Sequence, residues 1–259
     1  MKISAVIVTY NNEKKIIGCL ESLQGIVDEI VVVDSCSTDL TRKIASYFTP
    51  QVYKHPSPDY AELKKFGQQK ANFDWVLSLE PDERLSRRLK LELLKIKDQP
   101  DEAEGYLIPR RSFYLGRWIK HSGWYPNRRI RLYRKEKGFW VKKPFQVSLN
   151  FSGKVKDIKY PIEHLAFASI SEHVSYLNRI SERRAQELYL KRKKARCYHF
   201  CLEPCLKFFN IYFLKGGWLD GFAGLVISAL SAYGVFLKYA KLKEVWKKGE
   251  RIEPVSYSQ

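Results

Sequence analysis

Two runs of β-branched residues, Ile3 to Val8 and Glu29 to Asp34, flank a segment in which Ile16, Ile17, Leu20 and Leu23 recur at helical spacing. No other feature of the chain restricts its fold so much. Each run is too short for a helix and apolar on both faces, which is how buried parallel strands read. Parallel neighbours need a crossover, and the stretch from Asn12 to Gln24 supplies one, so the opening residues predict a βαβ unit.

The pattern repeats. Ser37-Thr38-Asp39 offers an N-cap for a second helix running to Phe48, Val52-Tyr53 makes a short strand, and Tyr60 to Asn72 reads as helix. Asp74 to Leu79 is the next strand, and Ser86 to Lys97, which carries Leu89, Leu93 and Ile96, the next helix. Strands alternating with helices imply an α/β fold, an open, mostly parallel, twisted sheet covered by helices on both faces.

At Gly105 the texture changes to aromatic and Arg-rich segments with β alternation, expected to add strands and long loops. Charge follows the change. Residues 1–106 carry 15 basic and 17 acidic side chains, residues 107–160 carry 15 and 2, and residues 161–259 carry 16 and 9, so the total of +18 divides as −2, +13 and +7. A strong positive excess points to an anionic partner. Helix returns over Ser171 to Arg196, and Cys197 to Trp246 is helical and apolar, broken at Gly216-Gly217. The expected organisation is a domain over residues 1–165, in halves 1–106 and 107–165, followed by a helical, membrane-proximal appendage over residues 166–259.

The longest uncharged stretch, Gly221 to Leu237, is seventeen residues with three glycines. A spanning helix needs about 20 apolar residues, so this reads as a membrane-surface or re-entrant segment. The opening MKISAVIVTY runs straight into polar residues with no small-residue cleavage site, and is read as a first strand in a cytoplasmic protein. Five cysteines, Cys19, Cys36, Cys197, Cys201 and Cys205, form an odd set without a CxxC pair, which argues against a disulfide framework and a zinc knuckle. The last three, spaced by four, share one helix face and are expected to be buried packing residues.

In parallel α/β sheets ligands bind at the carboxyl ends of the strands. Three polar clusters fall there: Thr9-Tyr10-Asn11, Asp34, and Glu80-Pro81-Asp82-Glu83. Glu80 and Asp82, two apart in an extended segment, can face one hard cation, Mg²⁺ or Mn²⁺, of the kind that neutralises a diphosphate. Alone, Asp34 also reads as a capping or turn carboxylate, and the acidic cluster as first-turn charge on a helix. Folding does not require polar clusters at three strand ends, and their joint placement points to a nucleotide-diphosphate site.

The strings ISAVIVTYNNEKKIIGCLESL, EIVVVDSCSTDLT and DWVLSLEPDERLS resemble family-2 inverting glycosyltransferases with the GT-A fold, above all the branch containing lipopolysaccharide core glucosyltransferases. The likeness extends to Gly217-Trp218-Leu219-Asp220-Gly221, which matches a Gly-x-Leu-Asp-Gly segment of that branch. The resemblance implies that Thr9, Tyr10 and Asn11 line the nucleoside pocket and that Asp34 contacts uracil or ribose. It places Lys64 near the nucleotide, and Asp82 with Glu80 on the metal.

The chain departs from the family at several points. Cys36 stands where the family usually has Gly, Leu63 and Lys65 replace the Gln and Asn around Lys64, and Glu80 replaces the first Asp of the metal motif. Downstream, the segment Lys143 to Ser148 carries Gln146-Val147 where relatives carry a His-Glu pair, and neither residue can accept a proton from an acceptor hydroxyl. The catalytic base is therefore not identified; Asp157, Glu163 and His164 are the nearest candidates, each also readable as structural.

Arg110, Arg111, Arg117, Arg128, Arg129 and Arg131 interleave with Trp118, Trp124 and Tyr125, a composition that can grip phosphate and stack sugar. Arg110, Trp118, Trp124, Arg128 and Arg129 are the acceptor-binding candidates. Single-stranded nucleic acid would suit the same block, but an apolar tail flanked by lysines favours a lipid surface. A helical hairpin packed on the protein's own core or a dimer interface is the other reading of that tail. The expected function is transfer of a hexose, glucose from UDP-glucose, with inversion to the sugar core of a phosphorylated glycolipid at the cytoplasmic membrane surface. A polyprenyl-phosphate acceptor, or a degenerate relative that binds anionic lipid or nucleic acid, are the alternatives.

Overall fold

The computed structural model describes residues 1–143 and 146–248. In chain order its first half comprises β1 (Ile3–Thr9), α1 (Glu13–Leu23), β2 (Glu29–Asp34), α2 (Thr41–Ser46), β3 (Val52–Lys54), α3 (Tyr60–Lys70), β4 (Trp75–Leu79), β5 (Glu83–Leu85) and α4 (Arg87–Asp98). There follow β6 (Gly105–Tyr114), β7 (Arg117–Trp118), β8 (Asn127–Arg134), β9 (Gly138–Lys143), β10 (Gln146–Phe151), β11 (Val155–Asp157) and β12 (Ile162–Phe167). The last helices are α5 (Ile170–Leu190), α6 (Tyr198–Phe209) and α7 (Gly221–Lys248). The chain forms two compact units, Met1–Arg111 with Asn127–His164, and Ser112–Pro126 with the described residues from Leu165 onward.

The first unit is built on a sheet of order β3-β2-β1-β4-β8-β6-β12-β5. Its first four strands are parallel, and their register sets Thr9 opposite Asp34 and Ile7 opposite Leu79. The carboxyl ends of β1, β2 and β4 therefore lie along one edge. The expected α/β sheet is present, but it is mixed and not mostly parallel: β8 runs antiparallel to β4 and β6, and β12 antiparallel to β5. Among the described residues between Gly105 and Phe167 no α-helix is available for a crossover, and β6 and β8 pair antiparallel. The three-residue β11 lies parallel to β6.

Alternation along β1 divides the core. Ile3, Ala5 and Ile7 pack with Ile16, Leu20 and Leu23 of α1 and with Leu89 and Leu93 of α4, whereas Val6 and Val8 pack with Leu63 of α3, Tyr133 and Trp140. Each such side chain removed from water contributes about 1.5–3 kcal/mol. Close approach of α3 to the sheet depends on Gly67, where a Cβ would stand 2.6 Å from Val6 Cγ1. The expected cap at Ser37-Thr38-Asp39 is displaced: α2 begins at Thr41, and Asp39 Oδ1 accepts from the Thr41 backbone N–H at 3.0 Å. The three residues form the loop before the helix because their side chains are engaged across it.

The second unit has an aromatic core of Tyr114, Trp124, Phe167 and His173, extended by Ile119, Ile211 and Ile227. Helix α6 runs on into a π turn over Asn210–Leu214, breaks at Gly216 with φ 64°, and re-enters helix through a 3₁₀ turn, Gly217–Asp220. Gly224 lets the start of α7 meet this turn: a Cβ there would lie 1.8 Å from the Gly217 carbonyl oxygen.

The uncharged run Gly221 to Leu237 lies inside a longer helix. Among the described residues one helix, Gly217–Lys248, is long and apolar enough to cross a membrane by length and composition. The helix outlasts that run because Lys238 and Lys241 interrupt the uncharged sequence without ending the helix. Cys197, Cys201 and Cys205 are exposed and not buried, because α6 turns no residue fully inward.

Candidate active site

The loop after β4 closes on itself. The Glu80 backbone N–H donates to Glu83 Oε2, and the Glu83 N–H to the Glu80 carbonyl, each at 3.0 Å. Glu83 is fully buried, and its Oε1 accepts from Arg131 Nη2 at 2.6 Å with Arg110 Nη1 at 3.5 Å. Arg131 is buried too. Its other nitrogen, Nη1, donates to the Ser78 carbonyl at 3.4 Å and lies 4.0 Å from Glu80 Oε1. Burial opposes its charge, but Glu83 and Glu80 outweigh that and hold its pKa above the ordinary arginine value. A buried pair of this kind is worth little over an apolar pair, yet removing one partner strands the other charge.

Glu80 and Asp82 stand on this loop. Burial raises the pKa of each, but Lys64 and Arg131 pull Glu80 below the usual carboxylate range, and a hydrogen bond from His164 does the same for Asp82. His164 Nε2 is 3.4 Å from Asp82 Oδ2 because β12 pairs antiparallel to β5 with His164 opposite Glu83. Among the described residues no three His, Cys, Asp or Glu side chains form a metal-binding group by themselves. Two carboxylates offer hard oxygen donors, and the set fits a cation that takes its remaining ligands from a diphosphate and water.

Lys64 points from α3 into the sheet, fully buried, with Nζ donating to Ser78 Oγ and the Leu79 carbonyl at 3.1 Å each. The ammonium also lies 5.3 Å from the Tyr60 ring and 5.5 Å from the Trp140 ring. Burial lowers its pKa, opposed by Glu80. Arg129 is pulled down by burial and by Arg131 and Arg110, so three guanidinium groups share one neighbourhood. Two buried hydroxyls, Thr9 Oγ1 and Tyr60 Oη, have no hydrogen-bond partner in the protein. Burial, with Glu80 beside it, pushes the Tyr60 phenol well above its ordinary pKa. Buried polar groups are rarely left so.

The first two loops are braced against each other. Asp34, fully buried, accepts from the Ser37 backbone N–H at 2.9 Å and from the Ser37 hydroxyl, with Arg42 Nε at 4.0 Å. Asn11 Oδ1 accepts from the Thr38 N–H, and the Asn11 N–H donates to Ser37 Oγ, both at 2.9 Å. Tyr10 is half-buried between them. The turn at Asp34 carries Cys36 through φ 63°, a conformation that suits glycine.

Residues 4–158 match the family described as glycosyl transferase family 2. The chain belongs to glycosyl transferase family 2. Similar members include an uncharacterized glycosyltransferase of Rickettsia felis, 30% identical over 97% of this chain and 93% of that one. The lipopolysaccharide core biosynthesis glycosyltransferase LpsC of Rhizobium meliloti is 26% identical over 93% of this chain and 92% of that one. Among solved structures, S. aureus TarS 1–349 in complex with UDP-GlcNAc aligns with TM-score 0.48 and 17% identity over 96% of this chain and 93% of that one. This glycosyl transferase of family 2 has the GT-A type of fold.

Within this family-2 domain, the structure brings Lys64, Glu80, Asp82, Arg110, Arg129 and His164 to one neighbourhood at the carboxyl end of β4. Others named from sequence have partners of their own. Asp157 pairs with Arg128 at 2.6 Å on the surface, and Glu163 with Arg111 at 3.4 Å. Trp118 lies edge-on to Phe113, and Trp124 is packed in the aromatic core of the second unit. Pro144 and Phe145 of the segment beside Gln146-Val147 lie outside the described residues. The sequence places Glu83 in the Glu80–Glu83 cluster and Arg131 among the arginines of the basic block but gives neither a role of its own, and it marks Tyr60 only as the start of a helix. In Glu83 and Arg131 only burial distinguishes them from neighbouring charges, and burial is a tertiary property.

Proposed function

We propose that this chain is an inverting, metal-dependent hexosyltransferase that moves glucose from UDP-glucose to the sugar core of a lipopolysaccharide-type glycolipid at the cytoplasmic face of a membrane. The observation that carries the reading is the pair Glu80 and Asp82, held by the buried Glu83–Arg131 contact, with unpartnered Thr9 and Tyr60 hydroxyls at neighbouring positions. The relative LpsC, aligned over almost its whole length, supports the acceptor class.

In this reading Thr9, Tyr10, Asn11 and Asp34 line the nucleoside pocket, and Lys64 lies toward the diphosphate. Asp82 and Glu80 would hold Mg²⁺ or Mn²⁺, which when bound neutralises charge developing on the leaving diphosphate. Arg110 and Arg129 face the phosphorylated acceptor. The acceptor oxygen forms the new bond at the anomeric carbon as the bond to the diphosphate oxygen breaks, and the hydroxyl proton passes to a base. Of the three base candidates, Asp157 and Glu163 are paired with arginines, whereas His164 stands at the carboxylate loop beside Asp82. His164 is therefore the proton acceptor in this reading.

Calorimetry of UDP-glucose binding with and without Mn²⁺ tests the donor half. Asp82→Ala is expected to lose the metal-dependent part and to lower turnover by about 100-fold or more. Equal binding by the variant would end the assignment. The absence of a His-Glu pair at Gln146-Val147 favours a second acceptor, a polyprenyl phosphate, whose oxygen needs little help from a base. Labelling of polyprenyl phosphate but not of core glycolipid would select it, and no transfer from any sugar nucleotide would leave a non-catalytic relative.

A further inference from the structure

Helix α6 inverts the usual rule of burial. None of its residues is fully buried, and Leu202, Leu206 and Phe209 are 54%, 56% and 51% exposed. The same spacing continues into the π turn at Phe213, and α7 carries its own exposed stripe at Phe222, Leu225, Tyr233 and Phe236. Trp218 is exposed in the turn between the helices. Soluble proteins rarely leave apolar surface of this extent uncovered without a partner.

The opposite face of α7 is engaged within its own unit, where Ala223, Ile227, Leu242 and Val245 are buried and Ser228 Oγ donates to the Gly224 carbonyl at 2.7 Å. A helix with one face in a protein core is not surrounded by lipid, whatever its length. The stripes are also short. Leu202 to Phe213 and Phe222 to Phe236 rise about 17 and 21 Å at helical spacing, against about 30 Å of hydrocarbon in a bilayer.

Basic side chains gather at the end away from the turn. Residues 191–196 contribute Lys191, Arg192, Lys193, Lys194 and Arg196, and the last turns of α7 contribute Lys243 and Lys247. These segments meet: Trp246 Nε1 donates to the Lys193 carbonyl at 2.7 Å, and Lys194 Nζ lies 5.5 Å from the Trp246 ring. Lys207 and Lys215 add positive charge beside the apolar turn, where burial and then the nearby Lys215 lower the pKa of Lys207. Exposed apolar stripes bounded by bases match an interface of acyl chains under anionic headgroups.

We propose that the α6–α7 hairpin is the surface by which this protein lies on an anionic phospholipid bilayer. Its stripes enter the boundary between headgroups and acyl chains, and the bases of residues 191–196 and the end of α7 sit on lipid phosphate. This deepens the membrane reading given above and rests on it only for the lipid nature of the acceptor.

The test is sedimentation of the full chain with phosphatidylcholine vesicles, with and without phosphatidylglycerol, and with UDP-glucose binding measured on the same preparation. Binding to the anionic vesicles is expected to be at least ~10-fold tighter, and to fall ~10-fold or more in the Phe213→Glu/Phe222→Glu variant. The Lys193→Glu/Lys194→Glu variant should lose the preference for phosphatidylglycerol. Should the first variant fail to fold, quenching by brominated lipid that disappears in Trp218→Phe reads the same contact. A chain that stays in the supernatant with both vesicles, or variants that bind like the parent, would overturn the proposal. So would a dimer that Phe222→Glu dissociates, or a chain that only detergent extracts from vesicles. Loss of vesicle binding with UDP-glucose binding intact counts against this surface alone, and the converse against the transferase reading alone.

Discussion

Arg131 Nη2 donates to Glu83 Oε1 at 2.6 Å where both side chains are buried, and the same Glu83 accepts from the Glu80 backbone N–H. One carboxylate thus neutralises a buried guanidinium and shapes the loop that carries Glu80 and Asp82. Arg131→Met leaves Glu83 buried without its charge partner and should cost about 3–5 kcal/mol. Glu83→Gln should cost a similar amount. The double variant is expected to recover part of the loss, a coupling that urea unfolding of all four proteins measures. Strict additivity would mean that the contact contributes nothing.

Cys36 occupies φ 63° in the turn that Asp34 closes through Ser37. A left-handed conformation costs a residue with a Cβ about 1–2 kcal/mol. Glycine relieves that and adds back about 0.5–1 kcal/mol of chain entropy. Cys36→Gly should therefore raise stability by under about 1 kcal/mol, whereas Cys36→Val, stiff at χ1, should lower it. A valine variant as stable as the parent in thermal melts would contradict the strained turn.

How far the sequence could be read follows from where each interaction lies. β1, α1 and β2 are legible to within a residue or two because their signals are local: two apolar runs and one helical stripe. Strands beyond Gly105 were legible from their alternation but their antiparallel pairing was not, since β8 joins β4 across about fifty residues and its basic composition resembles a solvated face. Asp82 was named from its spacing with Glu80, while Glu83, one residue on, is recognisable only once Arg131 is known to be buried beside it. The three cysteines of α6 were misjudged for a related reason. Helical periodicity reveals an apolar face but not which way it points, and in α6 it points outward.

Asp220, from the Gly-Trp-Leu-Asp-Gly segment, is buried and collects donors from one stretch of chain. Its Oδ2 accepts from the His121 N–H at 2.9 Å and the Ser122 hydroxyl at 3.0 Å, and its Oδ1 from the Lys120 N–H at 3.1 Å. This explains a motif that chemistry at the strand ends does not need: it ties residues 120–122 to the start of α7 within the second unit. Asp220→Ala strands three donors and should cost about 3 kcal/mol or more. Asp220→Asn, which keeps one acceptor, should cost less. Equal stability of the alanine variant and the parent in urea would refute the tie.

His173 supplies a pH dependence of known sign. Its ring is buried, stacked 4.3 Å from Phe167, with Nδ1 3.0 Å from the Tyr114 hydroxyl. Burial pushes its pKa down to about 4 from the ordinary 6.5. The unfolded chain therefore binds a proton that the folded chain refuses between these values. Stability is fully present above the unfolded value and falls as acid is added, by at most about 1.4 kcal/mol per pH unit and by about 2 kcal/mol between about pH 7 and about pH 5. His173→Gln cannot titrate, so its unfolding free energy should vary less with pH over that window, even if its stability at neutral pH is lower. Urea unfolding of both proteins across the window decides the matter, because parallel curves would mean that His173 does not enter the core as a neutral ring.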